Sequence, residues 1–269
     1  MSRIAACFDA LKAQGRQALI PYVTAGDPNP QVTVGLMHQM VSVGADIIEL
    51  GIPFSDPMAD GPVIQLACER ALAHKTSLAM ILAMVAEFRE QNDTTPVVLM
   101  GYLNTVEKMG YDAFVATAKK VSLDGVLLVD LPPEESEDFG KDLRQAGLDA
   151  IFLITPTTTE ERIKKICAAG SGYLYYVSLK GVTGAAAIDT DAVAEKLDLV
   201  KQHTQLPLGV GFGIRDADSA ARVAQIADGV VVGSVLVNAL GDNASDPEKG
   251  CAQVVQTLSE KRQAMDTAV

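Results

Sequence analysis

Two acids eleven positions apart, Glu49 and Asp60, lie in the run DIIELGIPFSDPMADGPVIQ over residues 46–65. Ile47, Ile48 and Leu50 read as a buried strand, which Gly51, Pro53 and Pro57 bring to a stop. Glu49 stands just before that break, among side chains that would bury it. A carboxylate placed there loses hydration, so its pKa rises toward the range where it can give and take a proton. Asp60 follows on a loop rich in Pro and Asp and is expected to be solvated. Contrasting environments of this kind separate acid and base roles. A strand-terminal Glu can equally pair with a lysine or cap a helix, and loops are commonly rich in Asp, so the two residues alone leave these alternatives open.

The surrounding elements decide whether the two acids share a site. Apolar runs predict strands over residues 18–24, 46–50, 96–101, 125–130, 150–154, 173–177, 207–211 and 229–232. Helical patterns alternate with them, over 31–43, 62–74, 78–91, 111–121, 134–145, 159–169 and 191–203, then up to 226. A short helix leads the chain, another is expected over 235–240, and a closing helix starts near 246. Runs such as ALIPYV and DGVVVG suit parallel strands buried on both faces. Eight strand–helix units without a linker or a change of composition predict one domain over 1–269. The expected fold class is α/β, a (β/α)8 TIM barrel with an extra N-terminal helix and a short phosphate-binding helix after strand 8. A doubly wound open sheet is the alternative, but the GxGxxG that follows its first strand is absent. In a barrel, strand ends and the loops after them form the active face. Glu49 and Asp60 then belong to one mouth.

Three loops on that face are rich in glycine: Gly181 and Gly184 after strand 6, Gly211 and Gly213 after strand 7, and Gly233 with Ser234 after strand 8. Glycine lets backbone N–H groups approach an anion, and Ser234 would open a helix whose N-terminus favours negative charge. Tight turns also need glycine, but three such loops together suggest a phosphate cradle. Lys180 and Arg215 are the candidate cations, although the pattern favours backbone dipoles.

The net charge of −12 argues against nucleic acid or an anionic membrane as partner. Cys7, Cys68, Cys167 and Cys251 show no paired spacing, which suits reduced thiols and a cytoplasmic protein. His38, His74 and His203 are far apart, fall in apparent helices and read as surface residues, so no metal site is expected. The amino terminus is too short and too charged for a signal peptide, and no apolar run reaches spanning length.

The run IELGIPFSDPMADGP resembles the signature of the tryptophan synthase alpha subunits. The likeness continues through PYVTAGDP, LMGYLN, VDLPPEES, YYVSLKGVTGA, GVGFGI and VVVGS, across nearly the whole chain. The resemblance implies a lyase that cleaves indole-3-glycerol phosphate to indole and glyceraldehyde 3-phosphate. By position, Glu49 and Asp60 match the family's catalytic acids. Tyr175, Thr183, Gly184, Phe212, Gly213, Gly233 and Ser234 match its substrate and phosphate contacts, and Tyr22, Ile64, Met100 and Leu127 match the lining of its indole pocket. Tyr22 stands where Phe is common and Met100 where Leu is common. The family implies no cofactor in this chain, and a partner beta subunit carrying pyridoxal phosphate in an alpha2–beta2 complex. Residues 52–57 and the region 102–108, with an exposed Tyr102, would meet that partner, and the 181–187 segment would act as a lid. From spacing alone, Tyr175 reads as core packing. Two competing functions remain: another phosphate-binding barrel, such as a sugar-phosphate isomerase, and an interaction subunit inert without its partner.

Overall fold

A computed structural model describes residues 2–178, 190–211 and 213–268. Helix α1 (Arg3–Ala13) precedes β1 (Ala18–Thr24), followed by α2 (Pro30–Ser42) and β2 (Ile48–Gly51). Two helices, α3 (Pro62–Ala73) and α4 (Leu78–Arg89), separate β2 from β3 (Val97–Gly101). After α5 (Leu103–Met109) and α6 (Tyr111–Lys120) come β4 (Gly125–Leu128), α7 (Glu137–Ala146), β5 (Asp149–Ile154), α8 (Glu160–Ala169) and β6 (Leu174–Val177). The chain continues through α9 (Thr190–Lys201), β7 (Leu208–Gly211), α10 (Ala217–Ala224), β8 (Gly229–Val232), α11 (Ser234–Asp242) and α12 (Pro247–Thr267). Each strand pairs in parallel with the next and β8 returns to β1, closing the barrel. This is the (β/α)8 architecture expected, with the leading helix and the short helix after strand 8.

Strand alternation sorts the side chains into two cores. Leu19, Val23, Ile48, Leu50, Val210 and Val230 point outward to the helices. Ile20, Ile47, Val98, Leu127, Ile151 and Val231 point into the barrel. Pro21 has no N–H to donate, and it sits where β1 passes from pairing with β8 (Ala18 to Pro21) to pairing with β2 (Tyr22 to Thr24).

The floor of the barrel is closed. Ile4, Phe8 and Leu11, one face of α1, join the inner core, and the Phe8 ring lies 5.9 Å from that of Tyr173. Arg3 binds Asp124 at 2.9 Å, just ahead of β4, so α1 plugs the N-terminal ends of the strands. From α12, Arg262 donates to the Gln17 carbonyl at 2.9 Å and to Asp46 at 3.2 Å, anchoring that helix to the same end. The open mouth is therefore at the carboxyl ends.

The boundaries differ from expectation in a few places. The second strand begins at Ile48 because Asp46 turns its carboxylate to the Leu19 N–H (2.8 Å) and to Arg262. Helix α5 was not anticipated, and Gly110 at φ 90° separates it from α6. Helix α7 starts at Glu137 and not at 134, because the Pro132–Pro133 pair sets a turn closed by the Glu135 N–H. His203 lies beyond the end of α9, 3.2 Å from Glu160, while His38 packs its ring 4.7 Å from that of Phe88. Among the described residues no single helix is long and apolar enough to cross a membrane. Helices α3 and α4 reach that composition only together, and they meet at 91°.

Candidate active site

Glu49 is the inward residue of β2, paired in register with Tyr22 on β1 and Val98 on β3. It is 0 % exposed. Its Oε1 accepts a short hydrogen bond from the hydroxyl of Tyr173, while Oε2 is buried with no hydrogen-bond partner among the described residues. Burial raises the pKa from the ordinary 4.5 to about 8, against the Tyr173 bond, which pulls it down. A neutral carboxyl therefore dominates at neutral pH, close to the value that suits a proton donor and acceptor.

Asp60 lies in the loop between β2 and α3, which leaves the sheet where the Ile52 N–H meets the Met100 carbonyl at 2.7 Å. The expectation of a solvated Asp60 is not met: the residue is half-buried, and burial raises its pKa. Tyr102 bonds to it directly. Its hydroxyl donates to Asp60 Oδ2 at 2.9 Å and accepts from the Ala59 N–H at 2.9 Å, while its ring lies 5.2 Å from that of Phe54. Tyr102 is 3 % exposed, so it sits beneath the loop and not on an outer surface as expected.

Two further hydroxyls lie within electrostatic reach of both acids. Burial raises the pKa of both Tyr22 and Tyr175, and the charges of Asp60 and Glu49 push each of them further in the same direction. The Tyr22 hydroxyl lies 3.3 Å from Thr24 Oγ1. Neighbouring glycines make room for these phenols: a Cβ on Gly51 would run into the Tyr22 hydroxyl, and one on Gly211 into that of Tyr175. Tyr22, Ile64 and Met100 share one apolar cluster at the mouth with Val63, Ala67 and Val237. Leu127, fully buried and paired with Met100, and Tyr175 belong to the inner core beneath. Arg70 on α3 grips buried Asp27, in the loop after β1, at 2.6 and 2.9 Å, which holds the helix carrying Ile64 against β1.

Gly213 follows β7 with φ 83°, a conformation that favours glycine. Gly233 and exposed Ser234 open α11, which has no side-chain cap. Because β7 and β8 are paired neighbours, these loops share one rim. Val237 joins α11 to the cluster around Tyr22, so the helix start lies next to the apolar wall. Thr183, Gly184 and Phe212, with Lys180 and the 181–187 segment, lie outside the described residues.

Sequence reasoning did not single out Tyr173 as the partner of Glu49, nor Tyr102 as that of Asp60. Tyr173 was legible by parity, since it stands two residues before Tyr175 and so faces the same side. Nothing local marks Tyr102, because its contact spans 42 residues.

A family model described as tryptophan synthase alpha chain matches residues 8–268. The tryptophan synthase alpha chain of Thioalkalivibrio sulfidiphilus is 66% identical over 266 residues, covering 99% of this chain and 100% of the relative. That of Marinobacter nauticus is 59% identical over 267 residues, 99% of each. Among solved structures, tryptophan synthase subunit alpha from Legionella pneumophila aligns with a TM-score of 0.92 at 46% identity over 99% of both chains. A Mycobacterium tuberculosis tryptophan synthase structure aligns with 0.88 at 36% identity over 98% of both. With a match from near one end to the other and relatives this similar over their full length, the chain belongs to the tryptophan synthase alpha chain family.

Proposed function

We propose that Glu49 and Asp60 are the two catalytic acids with which this chain cleaves indole-3-glycerol phosphate to indole and glyceraldehyde 3-phosphate, a retro-aldol step of tryptophan biosynthesis. The observation that carries the assignment is the Glu49 carboxyl: wholly buried, one oxygen held by Tyr173, the other without a partner among the described residues, and neutral up to about pH 8. Glu49 gives its proton to ring carbon C3, which leaves positive charge toward the ring nitrogen. Asp60 accepts a hydrogen bond from that N–H and stabilises the charge, and the bond from Tyr102 favours its ionised form. The Glu49 carboxylate then takes the proton of the glycerol hydroxyl next to the ring. The carbon–carbon bond breaks as that oxygen becomes the aldehyde, its electrons restore the aromatic indole, and Glu49 ends protonated as it began.

Tyr22, Ile64, Met100, Leu127 and Tyr175 are the apolar walls for the indole in this reading. Gly213, Gly233 and Ser234 hold the phosphate through backbone N–H groups and a hydroxyl, with Thr183, Gly184 and Phe212 as further contacts. We read residues 1–269 as one cytoplasmic barrel domain, supported by the single closed sheet on which the helices lie. The chain requires no cofactor of its own. Its partner is a beta subunit holding pyridoxal phosphate in an alpha2–beta2 assembly. With Tyr102 buried, the docking surface falls to the loop above it, where Met58 is 81 % exposed, and to α5, whose Asn104, Glu107 and Lys108 face outward. The test is release of indole from indole-3-glycerol phosphate by the purified chain, alone and with a beta subunit. A slow basal rate that rises with the partner is expected. An inactive chain whose Glu49→Gln form behaves identically in the complex would refute the assignment.

A further inference from the structure

Lys261 is 2 % exposed, on the long closing helix α12 where it packs against α10. A buried ammonium is unfavourable unless an acceptor meets it. Burial pulls its pKa below the ordinary lysine range, with Asp216 and Glu260 opposing. Its Nζ donates to the backbone carbonyl of Arg215 at 2.9 Å. That carbonyl belongs to the loop after β7, two residues beyond the Gly213 turn. The same loop is tied from α10: Ser219 Oγ accepts from the N–H groups of Arg215 and Asp216 at 3.0 and 3.1 Å, and Asp216 Oδ1 accepts from the Ser219 N–H at 2.8 Å.

The fold of α12 does not need this ammonium. The helix is anchored by Val254, Leu258 and Met265 in the core and by Arg262 at the barrel floor. An apolar side chain would fill the Lys261 position without the desolvation that a charge incurs. What the lysine adds is control of one carbonyl. A carbonyl oxygen free to swing toward the mouth would repel a phosphate, whereas this one is bonded into the helix layer by Lys261.

We propose that Lys261 is a positioning residue for anion binding, which holds the Gly213 turn in its phosphate-receiving conformation by fixing the Arg215 carbonyl against α12. The inference rests on the reading of Gly213, Gly233 and Ser234 as the phosphate cradle. The experiment compares Lys261→Met and Lys261→Arg in the full chain, with three readouts: KM for indole-3-glycerol phosphate, inhibition by inorganic phosphate, and inhibition by indole, which has no phosphate. Lys261→Met should raise the first two constants about tenfold, with the loss falling on KM more than on kcat, and leave that for indole unchanged. Lys261→Arg keeps charge and donor and should recover most of the loss. If Lys261→Met yields no folded protein, Lys261→Gln, whose amide falls short of the carbonyl, carries the same comparison. Equal weakening of phosphate and indole, or unchanged phosphate inhibition, overturns the proposal. Ser234→Ala and Gly213→Ala separate the two readings. Unchanged phosphate inhibition in both would remove the cradle and the role of Lys261 with it. Weakening in both, but not in Lys261→Met, would remove the role of Lys261 alone.

Discussion

The Tyr173 hydroxyl reaches from the residue just before β6 to Glu49 on β2, the opposite side of the barrel, and engages only one of its two carboxyl oxygens. Oε1 accepts that bond, and Oε2, which has no hydrogen-bond partner among the described residues, is the oxygen placed to exchange a proton. The acid is thus held by one atom and free to react through the other.

Glu49→Gln preserves shape and removes the transferable proton. Turnover should fall by at least ~10²–10⁴-fold, the usual worth of a positioned acid or base, with the fold intact. Circular dichroism and a single-turnover indole assay check both halves. Near-normal turnover would take Glu49 out of the chemistry.

The same residue should mark the pH dependence of activity. Glu49 must start protonated, so kcat should decline as pH rises through about 8. Tyr173→Phe removes a bond that favours the carboxylate, so this limb should move to higher pH. A limb that stays in place in Tyr173→Phe would mean that another group controls it.

Stability should follow pH for the same reason. The folded pKa of Glu49, about 8, lies above the ordinary 4.5, so the folded protein keeps a proton that the unfolded chain has lost. Stability therefore falls as pH rises between those values and levels off above them. Glu49→Gln carries no such penalty and should melt above the parent at pH near 8, with the two converging toward pH 4.5. Urea denaturation of both proteins across this range is the measurement, and a constant offset between them would contradict it.

Tyr102→Phe deletes the hydroxyl that bridges Asp60 and the Ala59 N–H while keeping the ring against Phe54. Loss of a hydrogen bond to a charged group predicts about a tenfold fall or more in kcat/KM. Asp60→Asn should be more severe, because it removes the charge that stabilises the protonated ring. Steady-state kinetics of the two variants side by side test this order.

Gly211→Ala should be destabilising by about 1–3 kcal/mol, since the new methyl meets the Tyr175 phenol. Adding Tyr175→Leu, which ends short of that position, should return part of the stability. A double variant no more stable than the sum of the singles would show that the two positions are independent.

The barrel was legible in the chain because its signals are local. Eight short apolar runs, each ended by Gly or Pro and followed by a helical period, need no distant information to be recognised. The placement of Glu49 followed from the same logic, for an apolar run and its abrupt stop put a carboxylate at the carboxyl end of a buried strand. The alternating tyrosines of β6 and the glycines of β7 were visible as residues, but not as a fit between them.

Tertiary structure decided the electrostatics. Asp60 sits in a loop whose composition reads as solvated, yet it is half-buried, which raises its pKa, while Tyr102, from the end of a different strand, donates a hydrogen bond that pulls it back down. Tyr173 meets Glu49 across 124 residues, and Lys261 meets the Arg215 carbonyl across 46. Desolvation and hydrogen bonding depend on what surrounds an atom in space, and barrel closure brings together strands that the sequence keeps far apart. The sequence by itself determined which side chains could do chemistry and on which rim they stand. Only the closed barrel decided which Glu49 oxygen is held and in which direction burial moves the pKa of each acid.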